Sequence, residues 1–102
     1  MVKFVALYRQ PEDPAAFEKW YMDEHLPICE RYPDVEHMHV QRVTGSPRGE
    51  SEFYWLFEVV YKDRETMMRS LTSEAGTESA RNARESGFGG LMVSMFVESL
   101  PT

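Results

Sequence analysis

The sequence predicts an α+β fold of order βαββαβ, and three observations carry that prediction. Strand-like apolar runs occur at residues 2–8, 35–44, 53–61 and 91–97, helical spacing occupies two of the intervals between them, and three of the four strands are apolar on both faces. Four strands in this order make the ferredoxin-like arrangement: an antiparallel sheet with the first and third strands at its centre and two main helices on one face. The 102 residues suffice for a single domain, residues 1–102, which would bury roughly 65% of the surface of the unfolded chain.

Residues 2–8 (VKFVALY) are β-rich with apolar positions on both alternating faces, the pattern of a central strand. Gln10 to Pro14 supplies a turn, with Asp13 as N-cap and Pro14 at the first helical position, so a helix should run from there to about Tyr32, before Pro33 ends it. At about 100° per residue, Phe17, Trp20, Tyr21, Glu24 and Ile28 share one stripe of this helix and His25 lies at its edge. Pro27 has no N–H for the carbonyl of Asp23, so the helix should kink or loosen where His25 projects.

Residues 35–44 alternate Val35, His37, His39, Gln41 and Val43 against Glu36, Met38, Val40 and Arg42, which reads as a half-buried edge strand. A turn-rich stretch, 45–51, leads to 53–61 (FYWLFEVVY), the strongest strand signal in the chain. Asp63 can cap a second helix through Met67, Met68 and Leu71, with Gly76 as its C′ residue. Residues 77–86 are polar and fit a short surface helix or a loop, 87–90 (GFGG) a flexible hinge, and 91–97 the last strand. Two helices cover one side of the sheet, so its other apolar side requires a partner. The expected partner is a second copy of the chain, sheet against sheet about a two-fold axis, closing a homodimeric α+β barrel.

Seventeen acidic against eleven basic side chains give a formal charge of −6, which argues against nucleic acid and anionic membrane as partners. Cys29 is the single cysteine, so neither an internal disulfide nor a thiolate zinc site can be drawn, and a reducing cytoplasm fits. With no secretory h-region and no long apolar run, the expectation is a soluble cytoplasmic protein.

His25 is the candidate general acid or base, since imidazole titrates near neutrality and aromatic neighbours would shift it by desolvation; alternatively it ties down the helix kink. Tyr21 can hydrogen-bond a carbonyl or enolate oxygen, and Trp20 can line an apolar pocket, or both can be core. Glu58 sits mid-strand on a face with Tyr54, Leu56 and Val60, where it must find Arg42, Arg9, another partner or a proton; a structural ion pair and a catalytic acid are both open. His37 and His39 share a strand face but no third metal ligand is evident, so no metal is expected.

The opening VKFVALYR, Pro11 to Pro14, Phe17, Tyr21, the His25-x-Pro27 pair, the run Arg42 to Gly45 and the run Ser73 to Gly76 together resemble the EthD family, named for a protein linked to ethyl tert-butyl ether degradation. The chain departs from that pattern at Trp20, at Pro33-Asp34 and within 73–76. The resemblance implies a dimeric α+β barrel and a small, mostly apolar organic ligand, in catabolism or secondary metabolism. Proteins on that barrel include cofactor-free monooxygenases, isomerases, cyclases and lyases; joined to the residues read above, this gives the expectation of cofactor-free acid/base chemistry of isomerase, cyclase, lyase or monooxygenase type, with His25 and Tyr21 as catalytic residues and Trp20, Arg42, Tyr54 and Glu58 at the ligand. The alternative is a non-catalytic binding or accessory protein on the same fold.

Overall fold

In the computed structural model, which describes residues 1–102, strand β1 (Val2–Arg9) runs between β3 (Phe53–Tyr61) and β4 (Met92–Glu98), and β2 (His37–Arg42) lies outside β3. The antiparallel order is β2-β3-β1-β4, the ferredoxin-like sheet with the first and third strands at its centre.

Helical segments cover one face. Asp13 caps α1 (Pro14–Trp20) by accepting from the Ala16 N–H, and the helix continues without a break through a π turn (Tyr21–His25) into α2 (Leu26–Cys29). The π turn is how the chain accommodates Pro27: the Leu26 N–H reaches the Tyr21 carbonyl, and the turn is widened by one residue just ahead of the proline. After β3, Asp63 caps α3 (Arg64–Leu71), and Ser73 then caps a separate helix, α4 (Glu74–Ser86), which Gly87 ends in the left-handed conformation at φ 85°.

Two expectations are corrected here. Three helical rods, rather than two, pack on the sheet, because Ser73 restarts a helix where Gly76 was expected to end one. Gly76 lies inside α4, and a Cβ there would stand 2.2 Å from the Leu71 carbonyl oxygen, so glycine is what lets the end of α3 fold back against α4. The sheet, moreover, is not closed into a barrel. It is an open sheet ending in two free edges, β2 and β4, and the chain is a slab 18 Å thick, one sheet and one helical layer deep.

The core is aromatic. Phe17 is fully buried against Tyr8, Trp20, Tyr21, Tyr54, Trp55 and Phe88, at centroid separations between 5.3 and 6.0 Å. Alternation places Ala6, Tyr8, Phe57, Val59 and Tyr61 beneath the helices. It fails at one place: Tyr8 pairs with Trp55 while Arg9 pairs with Phe53, so Tyr54 is an extra residue on β3. That bulge brings Tyr54 round to the helical side, where its ring meets Phe17 and its hydroxyl donates to the Glu18 carboxylate.

The opposite face carries Val5, Leu7, Leu56, Val93, Met95 and Val97, all at least partly exposed. In its middle Lys3 Nζ donates to Glu58 Oε1 at 2.9 Å.

Candidate active site

Between the sheet and α4 lies a cavity of about 170 Å³, floored by Phe4, Ala6 and Tyr8 of β1 and Phe57 of β3. Its roof is Ser79, Ala80 and Ala83 of α4, His25 and Tyr32 close one end, and Met92 and Phe96 of β4 form a rim. The space exists for two local reasons. Small side chains recur along the sheet-facing side of α4, and no helix covers β4, whose Phe96 remains 48% exposed. Arg64 sits over the outer Phe96 ring at 5.4 Å.

His25 reaches this wall because of the π turn. In a regular α-helix Glu24 and Ile28 would follow Phe17 and Tyr21 on the inner stripe; the inserted residue puts His25 and Cys29 there instead, leaving Glu24 in solvent. The imidazole is 5% exposed and stacks on Trp20 at 4.8 Å. Its tautomer follows from its neighbours. Trp20 Nε1 can only donate, and it does so to Asn82 Oδ1 at 3.0 Å; the same oxygen lies 3.1 Å from His25 Nδ1, so Nδ1 carries the proton. Nε2 is therefore the lone-pair nitrogen. Burial holds the imidazole below its ordinary pKa, only partly opposed by the bond to Asn82, so at neutral pH the ring is an uncharged base.

Beside it is a set of phenols. Ser79 Oγ donates to the Gly76 carbonyl at 2.9 Å and so accepts from the Tyr32 hydroxyl at 2.5 Å, while Cys29 Sγ–H points to the Tyr32 oxygen at 3.6 Å. Every proton in this chain runs toward the carbonyl. Tyr8 and Tyr21 differ: their hydroxyls lie near each other without hydrogen-bond geometry, and that of Tyr21 is buried with no partner at all. Burial raises the pKa of Tyr8, Tyr21 and Tyr32, so all three keep their protons, and it pushes the Cys29 thiol up to about 11, which makes it a packed thiol rather than a nucleophile.

Of the residues singled out from sequence, only His25 lines this cavity; Trp20 and Tyr21 pack against its imidazole from behind, at 4.8 and 5.2 Å between ring centroids. The others lie elsewhere. Tyr54 is held by Glu18 beyond Phe17, and Arg42 lines a shallow groove with Glu18 and Met22 at the far end of α1. Glu58 faces the opposite side of the sheet, paired with Lys3 rather than Arg42. His37 and His39 stack in parallel on that side too, and no cluster of three metal-ligating side chains forms anywhere in the chain. Tyr8, Tyr32, Ser79 and Asn82 had not been singled out; Asn82 sits in a polar stretch with no periodic signal beyond that of an exposed helix. No helix is long and apolar enough to cross a membrane.

Comparison with known proteins places this architecture. The family described as REDY-like protein HapK matches residues 2–85. An EthD family protein from Bacillus halodurans C-125 has a solved structure that is 38% identical over 98% of this chain and 99% of its own, with a TM-score of 0.91. Two more distant structures share the fold. A dimeric ferredoxin-like protein from Jannaschia sp. CCS1 is 10% identical over 97% of this chain and all of its own, with a TM-score of 0.71. SnoaB, a cofactor-independent oxygenase from Streptomyces nogalater, is 17% identical over 99% of this chain and 94% of its own, with a TM-score of 0.64.

Proposed function

Because the chain belongs to the family of EthD and REDY-like HapK proteins, we propose that it binds a small, mostly apolar organic molecule between sheet and α4 and moves a proton on it with His25. One observation carries this reading: a neutral imidazole, its Nδ1–H fixed on Asn82 and its other nitrogen without a hydrogen-bond partner, lines a mostly apolar cavity. An apolar cavity of about 150 Å³ accepts benzene, so about 170 Å³ suits one ring with a short side chain.

The chemistry is enolisation. Nε2 removes a proton from the carbon next to a carbonyl, the C–H electrons form the C=C bond, and the carbonyl electrons move onto oxygen. The Tyr8 hydroxyl donates to that oxygen, while the Tyr21 ring, edge-on to Tyr8 and packed on His25, holds both in place; Tyr21 thus acts as a positioning residue. Trp20 packs the imidazole in place. The scheme uses no bound group, as in the oxygenase of the same fold. A cytoplasmic setting accords with the lone, buried thiol.

The test is α-deuteration of phenylacetone in D₂O followed by NMR. Exchange above the buffer rate that disappears in a folded His25→Ala variant is expected; exchange that survives in that variant removes His25 as the base. Phenylacetone that binds without exchanging would instead favour the non-catalytic binding protein, a reading also compatible with the fully committed protons of Tyr32 and Ser79.

The open face of the sheet, we propose, receives a second copy of the chain. Its support is the band of half-exposed Val5, Leu7, Leu56, Val93, Met95 and Val97, an apolar surface that water does not stabilise, together with the dimeric relative of the same fold. Sedimentation at micromolar concentration should give about twice 11.9 kDa; a species at 11.9 kDa would count against the pairing.

A further inference from the structure

The cavity does not stop at its rim. Ala80, Ala83 and Met92 belong equally to a second, outer groove of about 470 Å³ that adds Arg84 and the glycines at 87, 89 and 90. The groove is formed by backbone. Gly87 leaves α4 in the left-handed conformation, and the segment then lies so close to the helix end that a Cβ on Gly89 would stand 2.9 Å from the Ala83 carbonyl oxygen. Gly90, by contrast, faces open space.

Arg84, exposed at the side of this groove, has no carboxylate in ion-pair reach; of the eleven basic side chains Lys3, Lys19, Arg31 and Arg69 are paired, and among the seven that are not, Arg84 is the one that lines this groove. In a chain of charge −6, an unpaired guanidinium at the outlet of an apolar cavity is placed where it can select among ligands. The inner end supplies the other half of the case: His25, its Nδ1 committed to Asn82, lines the cavity that shares Ala80, Ala83 and Met92 with this groove.

Building on the reading above, we propose that the groove is a carboxylate subsite, and that the ligand is a monocyclic organic acid whose ring fills the cavity and whose carboxylate, on a short tether, lies over Gly90 and pairs with Arg84. A planar carboxylate matches the guanidinium fork. The glycine floor leaves room for the tether, and the ring and its carbonyl stay with His25 and Tyr8.

Isothermal titration calorimetry with two matched probes tests this: 4-phenylbutanoate and 4-phenylbutanol, which share ring and tether and differ in charge. The wild-type protein should bind the acid about tenfold more tightly, a preference that falls with added salt, as expected of an exposed ion pair. Arg84→Met should bring the two probes level. Gly90→Leu, which fills the groove, should abolish binding of both while leaving acetophenone bound in the inner cavity. Equal affinities in the wild type, or a preference that survives Arg84→Met, overturn the subsite alone. Failure of acetophenone itself to bind overturns the cavity reading and the subsite with it. His25→Ala, which should end α-deuteration, is expected to keep the preference for the acid, so that catalysis and recognition are read separately.

Discussion

The two faces of the sheet share one alternating pattern of apolar residues and meet different fates. Under the helices, Ala6, Tyr8, Phe57, Val59 and Tyr61 are shut in with an aromatic cluster and with polar groups whose hydrogen bonds are nearly all assigned. On the other side, Val5, Leu7, Leu56 and Val93 stay half-exposed around a single ion pair. Apart from Val60, buried on the open face, burial therefore follows the layer that covers a strand and not the apolarity of its residues. The difference also locates chemistry: desolvation shifts the imidazole and the phenols on the covered face, where space was left beneath α4.

The sharpest way to break this contrast is a pair of truncations. Phe17→Ala removes the side chain at the centre of the aromatic cluster and should cost about 3–5 kcal/mol in urea unfolding. Leu7→Ala, half-exposed on the open face, should cost under about 2 kcal/mol when measured in dilute protein. Equal losses would mean that the open face is covered as firmly as the other. If a second copy does cover it, the Leu7→Ala loss should grow with protein concentration.

Asn82→Ala comes next in size. It leaves Trp20 Nε1–H and His25 Nδ1–H without their shared acceptor, which should cost about 1–3 kcal/mol. Because the tautomer is then no longer fixed, α-deuteration should fall further than phenylacetone affinity, a split that NMR exchange rates and titration resolve.

The pH dependence of stability is a smaller effect with a definite sign. The folded His25 pKa lies below its ordinary value of 6.5, so as the pH falls under 6.5 the unfolded chain takes up a proton that the folded chain resists. This contribution is fully present above pH 6.5 and is lost progressively toward the lower, folded pKa. Comparing urea midpoints of wild type and His25→Gln across pH 7 to 5 should show a steeper decline in the wild type. The smallest effect belongs to the open face: replacing Lys3 and Glu58 together by Met removes a partly exposed ion pair and should change monomer stability by about 0–1 kcal/mol. Sedimentation of the same variant should show stronger self-association.

Strand order, central pair and the N-caps Asp13 and Asp63 were legible because each rests on local chemistry: β-rich runs, a carboxylate before a helix, a proline at its first position. The separation of α3 from α4 was not, since Ser73 and Gly76 are competing signals and only the close approach to Leu71 decides between them. Barrel closure was inferred from apolar residues on both faces, and pattern alone cannot say what covers a face. Of the candidate site, the contacts around His25 were legible in part. His25, Tyr21 and Trp20 converge, but Glu24 and Tyr54 were assigned to faces they do not occupy. Both misplacements share a cause. A period of 3.6 or 2 assumes that no residue is inserted, and each of these two lies at an insertion: the π turn on the helix and the bulge on β3. Asn82 escaped because the acceptor of two buried donors carries no mark in a polar sequence.

The π turn also bears on descent. A widened turn differs from a regular one by a single codon, so deleting one of residues 22–24 restores an ordinary helix and leaves the imidazole on the inner stripe, whereas narrowing the turn without a deletion swings the carboxylate of Glu24 to where the imidazole stands. The base is thus held on this scaffold by how one turn is wound, and it could be silenced with no side chain replaced.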